Sequence, residues 1–231
     1  MTQPRSSLLL APPPLWQRPW LSLKREWMLY HLGDQRFRFM YDPPPDDEWV
    51  SVDCETTGLN PRTDQIISIG AVRIKGHRVM TSERLSLLVK PDKAISAEAV
   101  KIHGLRERDV ANGLEPDEAM RQLLHFIGSR PLVGYYLEFD VALINRAIFP
   151  MLGVFLPQPK VEISALYYGW KQRNLRVYEH GASIDLRLAT LMSDLQLPTR
   201  HAHDAVNDAI MAALAFVKLR RLLETPSDKA V

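Results

Sequence analysis

Trp49-Val50-Ser51-Val52-Asp53-Cys54-Glu55-Thr56-Thr57-Gly58 runs from an apolar stretch into two acids and a glycine. Trp49 to Val52 reads as a strand entering a core. Residues two apart in a strand point to one face, so Asp53 and Glu55 project together while Cys54 turns toward the core as packing. Two carboxylates side by side raise the cost of ionising each other. A divalent cation between them removes that cost. Gly58 lets the backbone turn sharply and approach a ligand closely. Taken alone, the stretch also fits a solvated strand end that happens to carry two acids.

Beyond it, Ile66 to Lys75 is β-branched and bounded by Asp64 and Gly76, a second strand. Lys75-Gly76-His77 signals a hairpin, and Arg78 to Val89 a third strand stopped by Pro91. The spacing then turns helical over Ser96 to His103 and Pro116 to Ile127. Pro131 to Tyr135 is a short apolar strand, Phe139 to Ile148 a helix, and Lys160 to Ser164 a last strand. Ile184 to Leu195 and Ala205 to Leu223 close the chain as helices. Three antiparallel strands followed by strand, helix, strand, helix predict an α/β fold, a mixed sheet with helices against it.

On the N-terminal side, eight of 17 prolines fall in the first 47 residues, including the triplets 12–14 and 43–45. Such triplets cannot continue a helix. Between them, Leu21 to Leu32 fits one amphipathic helix ending near Gly33. Trp16, Trp20, Trp27, Tyr30, Phe37 and Phe39 argue against simple disorder. Residues 1–47 therefore read as a Pro- and aromatic-rich appendage that packs on the main domain or on a protein partner. Residues 48–224 are the main domain and 225–231 a short tail.

Two further acidic places follow. Asp140, in Tyr135-Tyr136-Leu137-Glu138-Phe139-Asp140, follows a strand and starts a helix. Locally it serves equally well as an acid complementing the helix dipole, as Glu138 would. In Arg200-His201-Ala202-His203-Asp204-Ala205-Val206-Asn207-Asp208-Ala209, His203 and Asp208 are five apart, ~140° around an ideal helix. They converge only if His203 lies in the loop before the helix and Asp208 within its first turns. Otherwise Asp204 caps the helix, Asp208 is solvated and the histidines sit on the surface.

Together the three elements resemble the DEDDh 3′–5′ exonucleases of the DnaQ-like group, which includes the proofreading epsilon subunit of bacterial DNA polymerase III. The match runs from about Glu48 to Leu223. Asp53 to Gly58 carries the full first motif, and His203 to Asp208-Ala209 the third. Lys101-Ile102-His103-Gly104-Leu105 is similar to the family's His-Gly-Ile segment. In the second motif, Tyr135 and Tyr136 replace the usual His-Asn pair, while Phe139 and Asp140 remain.

The resemblance implies a ribonuclease H-like mixed five-stranded sheet flanked by helices. It implies two Mg²⁺ or Mn²⁺ ions held by Asp53, Glu55, Asp140 and Asp208, with His203 as general base. An imidazole suits that task near neutral pH. Thr56, Thr57, Gly58, Leu59, His103 and Phe139 are the implied substrate contacts. For His103, a structural role in a helix-end turn is equally open. The expected reaction releases nucleoside 5′-monophosphates from nucleic acid 3′ ends, single-stranded DNA first and RNA as the alternative. A non-catalytic binding module would show eroded acids, and all five catalytic candidates are present. Lys171, Arg173 and Arg176 could track the phosphate backbone or form a solvated face. The polymerase subunit's long C-terminal tail is replaced here by an N-terminal segment, so a stand-alone or differently tethered exonuclease is expected.

Composition sets outer limits. The 231 residues carry 29 Lys and Arg against 27 Asp and Glu, a net charge of +2. That excludes a histone-like basic binder and an acidic solvating tail, but not a local basic groove. The single cysteine, Cys54, excludes an intramolecular disulfide framework and a cysteine-based zinc ribbon. The longest apolar run, Ala209 to Val217, is nine residues, whereas a membrane span needs ~20. A soluble cytoplasmic protein with no membrane partner is expected.

Overall fold

The computed structural model describes residues 18–174, 183–200 and 203–224. The triplet 12–14, Trp16, Arg176, His201 and the tail 225–231 lie outside them.

Five strands form one sheet: β1 (Glu48–Thr56), β2 (Ile66–Lys75), β3 (Arg78–Leu88), β4 (Leu132–Gly134) and β5 (Lys160–Glu162). Their order is β3-β2-β1-β4-β5. The β1–β2 and β2–β3 pairs are antiparallel, and β1–β4 and β4–β5 are parallel. The expected mixed five-stranded sheet is borne out.

The helices are α1 (Arg18–Tyr30), α2 (Ala97–His103), α3 (Glu107–Val110), α4 (Pro116–Ile127), α5 (Leu137–Leu152), α6 (Ile163–Asn174), α7 (Leu188–Asp194) and α8 (Ala205–Glu224). They cover both sheet faces, so the central strands are buried on both sides. In β1, Val50, Val52 and Cys54 join the core formed with α4 and α5, while Trp49 joins the core under α6, α7 and α8. Asp53 and Glu55 share the α8 face with Trp49.

Several boundaries differ from the sequence expectation. β1 continues through both acids to Thr56, because Asp53 and Glu55 stay paired with Gly70 and Ser68 of β2. Ladder hydrogen bonding outweighs the weak strand preference of Asp. β5 stops at Glu162 rather than Ser164, since the Glu162 carboxylate accepts from the N–H groups of Tyr136, Leu137 and Ser164. That one side chain caps the starts of α5 and α6. Residues 183–187 are not helical, and Asp185 accepts from the Arg187 N–H and the Thr190 hydroxyl there.

The segment after α1 was expected to leave a helix near Gly33. α1 ends at Tyr30, and the Gly33 N–H donates to Leu152 O at 2.8 Å. A 3₁₀ turn, Gln35–Tyr41, follows that the spacing did not reveal. It buries Phe37, Met40 and Tyr41 in the core beside α4 and α5. His125 of α4 stacks on Phe39 at 4.9 Å, and Asp34 faces Arg121 at 3.7 Å. No described helix is long and apolar enough to cross a membrane.

Candidate active site

β1 lifts Asp53 and Glu55 onto the face that α8 covers. The neighbouring strand β2 meets α8 without a side chain between them. Gly70 lies opposite Asp53 in the ladder, and a Cβ there would stand 2.1 Å from the Ala205 carbonyl carbon. The first turn of α8 therefore rests on bare backbone, which an interior strand glycine permits. Asp208, in that turn, comes down beside β1. Ligand-capable oxygens of Asp53, Glu55 and Asp208 lie within 4.8 Å of one another.

His203 sits in the turn before α8, in a left-handed conformation with φ 65°. Its N–H donates to Asp208 Oδ2 at 2.9 Å. This is the loop-then-helix arrangement their spacing required. Asp204 also caps the helix, accepting from the Asn207 N–H at 2.9 Å. Of the local alternative the Asp204 cap holds, whereas Asp208 is half-buried rather than solvated. Asp140 arrives from the first turn of α5, and its Oδ1 accepts from the Cys54 N–H at 3.1 Å. The backbone of the residue between Asp53 and Glu55 thereby locks the fourth acid in place.

Electrostatically the cluster is unbalanced. Burial raises the Asp53 pKa well above its ordinary value, and the charges of Asp140, Asp208 and Glu55 push further. Burial, then Asp208 and Asp204, lifts Glu55 to about 7. Asp140 and Asp208 are raised too, chiefly by burial. Asp208 Oδ1 is buried with no hydrogen-bond partner. An orphaned buried carboxylate oxygen is costly, and one placed among acids fits a hard cation better than any protein donor. The donor set, carboxylates alone, suits Mg²⁺ or Mn²⁺.

These shifts set a pH dependence for the metal-free protein. Folded Glu55 keeps its proton up to about 7, while the unfolded chain releases it near 4.5. Between those values the unfolded state binds fewer protons, so stability falls as pH rises. Thermal melts in chelator should show Tm declining from pH 5 to pH 8. Divalent cation should reverse the decline, and its affinity should rise over the same range. A flat metal-free profile would contradict the assignment.

A cleft of about 670 Å³ opens over the acids. Asp53, Glu55, Asp140, His203, Asp208, Leu59 and Phe139 all line it. Thr56, Thr57, Gly58 and His103 do not; their hydrogen bonds tie the chain on either side of Leu59. Thr56 Oγ1 donates to Gly58 O at 2.6 Å, and the Thr57 N–H donates to Gln65 O at 2.9 Å. A Cβ on Gly58 would lie 2.5 Å from Asp64 Oδ2. Asp64 is buried and accepts from the Asn60 N–H at 2.9 Å and from Lys93 Nζ at 2.5 Å. This knot leaves Leu59 75% exposed at the cleft edge. His103 Nδ1 accepts from the Leu105 N–H at 3.1 Å, so its Nε2 carries the proton given to Thr56 O at 3.1 Å. Both ring nitrogens are engaged in tying α2 to the end of β1.

Sequence reasoning missed part of the wall. Leu188 and Met192 of α7, Met211 of α8 and Arg200 also line the cleft. No spacing rule joins them, although Gly70, a glycine inside a strand, was a readable sign of close backbone approach. Lys171 pairs with Asp194, which also accepts from the Tyr167 hydroxyl. That engages Lys171 away from the cleft wall.

The Exonuclease family of RNase T type matches residues 50–216. The chain belongs to this family, a DnaQ-like group of metal-dependent nucleases with the ribonuclease H-like fold. It is 29% identical over 180 residues to the PolC-type DNA polymerase III of Thermotoga maritima, covering 78% of this chain and 12% of that protein. With the DNA polymerase III epsilon subunit of Aquifex aeolicus it shares 24% over 184 residues, 78% of this chain and 84% of that one. Among solved structures, E. coli exonuclease I in complex with a dT13 oligonucleotide superposes with TM-score 0.61 at 19% identity, over 75% of this chain and 41% of that one. Exonuclease X in complex with 5′ overhanging duplex DNA gives 0.60 at 20%, over 78% and 96%.

Proposed function

We propose that this chain is a 3′–5′ exonuclease that hydrolyses nucleotides from DNA 3′ ends and releases nucleoside 5′-monophosphates. The observation that carries the reading is the converged Asp53, Glu55 and Asp208 triplet with its orphaned Asp208 oxygen, on the floor of an open cleft. Asp53, Glu55, Asp140 and Asp208 would hold two Mg²⁺ or Mn²⁺ ions. Bound there, such a pair supplies Lewis-acid stabilisation of phosphate oxygens and lowers the pKa of attacking water. His203 takes the proton from that water as general base; its backbone N–H donates to Asp208 Oδ2, which fixes the residue beside the acids at the cleft wall. Leu59 wedges against the terminal base and Phe139 packs beneath the nucleotide. Thr56, Thr57, Gly58 and His103 hold the loop that presents Leu59.

Digestion of 3′- and 5′-end-labelled single-stranded DNA, duplex DNA and RNA, with Mg²⁺, Mn²⁺ or chelator, tests this directly. Stepwise loss of the 3′ label with metal, and none with chelator, is expected. A chain that degrades only RNA would replace the substrate assignment. No cleavage under any condition would remove the catalytic one.

His203→Ala is expected to slow turnover ~10²–10⁴-fold, the usual value of a positioned proton acceptor. Metal affinity by titration calorimetry should be nearly unchanged. Collapse of that affinity instead would make His203 a ligand.

A further inference from the structure

The geometry points to Tyr136 as a stacking platform for the unpaired base next to the terminal nucleotide. The inference rests on the exonuclease reading above. Tyr136 lies at the cleft edge, 70% exposed, four residues before Asp140. Its φ is 56°, a left-handed conformation that costs a bulky residue free energy and persists only when surroundings impose it. The surroundings are specific. The Tyr136 N–H donates to Glu162 Oε1 at 3.2 Å. Tyr135 meets its ring edge-on, with centroids 5.0 Å apart and planes at 84°. Tyr135 is itself anchored, its hydroxyl donating to Leu186 O at 3.0 Å.

One tyrosine is thus a fixed buttress, and the other presents a broad aromatic face to water beside the acids. Stacking a nucleobase on that face is sequence-tolerant, because every base has a π surface, and is worth ~1–3 kcal/mol. The leaving nucleotide belongs on the cleft floor with the acids, and the edge then meets the next base upstream. A base still paired in a duplex cannot take up that position, so the platform favours single-stranded 3′ ends.

The test compares Tyr136→Ala, Tyr136→Phe and Tyr136→Trp on a single-stranded DNA 12-mer (about one OB-fold-sized site). One set of oligonucleotides carries 2-aminopurine at the penultimate position, and a control set carries it mid-strand. Tyr136→Ala should raise KM about 5- to 150-fold, with the smaller effect on kcat, and should lose the penultimate fluorescence change on binding. Both aromatic variants should keep that change and a near-wild-type KM. Circular dichroism melts of each variant identify any misfolded one, and the Phe and Trp pair keeps the test open in that case. An unchanged KM in Tyr136→Ala, or a loss of kcat alone, would overturn the proposal. Fluorescence is read in Ca²⁺ and needs binding, not turnover. A wild-type chain that gives the signal without cutting would therefore support the platform while removing the exonuclease reading.

Discussion

Asp53→Ala is expected to abolish 3′-end hydrolysis, with a loss of more than about 10³-fold. That exceeds the ~10²–10³ that removal of a single preorganised hydrogen-bond donor costs. Asp53 shares the 4.8 Å cluster with Glu55 and Asp208, and the charge of Asp140 also acts on it. Without it, Glu55 and Asp208 lose the member that brings a third carboxylate oxygen within 4.8 Å. The same substitution should act in the opposite direction on the metal-free fold. It removes a carboxylate that burial and the like charges of Asp140, Asp208, Glu55 and Asp204 disfavour, so Tm in chelator above pH 7 should rise. Stabilisation by added Mg²⁺ or Mn²⁺, which follows ligand concentration over Kd, should shrink or vanish. Activity assays and paired melts with and without metal check both halves. Full activity in the variant, or an unchanged metal-induced shift, would sink the assignment of these acids.

Gly70→Ala should be nearly as damaging, although Gly70 touches no substrate. The added methyl would fall 2.1 Å from the Ala205 carbonyl carbon and 2.2 Å from both Ala205 O and Val206 N. All three are backbone atoms, so no side-chain rotation relieves the clash. Either α8 lifts from β2 or β2 bows away beneath it. Asp208 and the His203 turn travel with the start of α8, so the triplet opens. A displacement of about 1 Å at a reacting centre can cost ~10²-fold, and overpacking itself costs ~1–3 kcal/mol. We therefore expect turnover to fall by about 10²-fold or more, with weaker metal binding and a lower Tm. Gly169→Ala is the matched control. It lies in α6 with nothing within 4 Å of an added Cβ, and Ala there should be neutral or stabilising by up to ~1 kcal/mol. Equal behaviour of the two variants would show that the α8 contact does not set the site.

How much of this was legible beforehand follows from how local each signal was. Strands β1, β2 and β3 were readable because β-branched runs and a hairpin glycine are short-range features. Their ends were less so. Asp53 and Glu55 belong to a strand only because Gly70 and Ser68 lie opposite them. The halt of β5 depends on Glu162 reaching the N–H groups of Tyr136 and Leu137, 26 and 25 residues earlier in the chain. The turn at Gln35–Tyr41 had no periodicity to announce it. Its Phe37 and Met40 are buried because α4 and α5 lie beside them.

The candidate acids and His203 could be picked out from residue type, order and the family resemblance, because carboxylate chemistry restricts those positions. Single elements always admitted a bland alternative, and the helix cap by Asp204 shows that part of one is present in the fold. Tertiary packing decided the rest. It brought Asp208 onto Asp53 through a strand position with no side chain. It engaged both nitrogens of His103, held Lys171 on Asp194, and turned Tyr136 outward at the cleft edge. Residue types and spacings are local properties, which a linear chain displays. Convergence is set by which surfaces pack closest, and here that is the bare backbone of Gly70 under the first turn of α8.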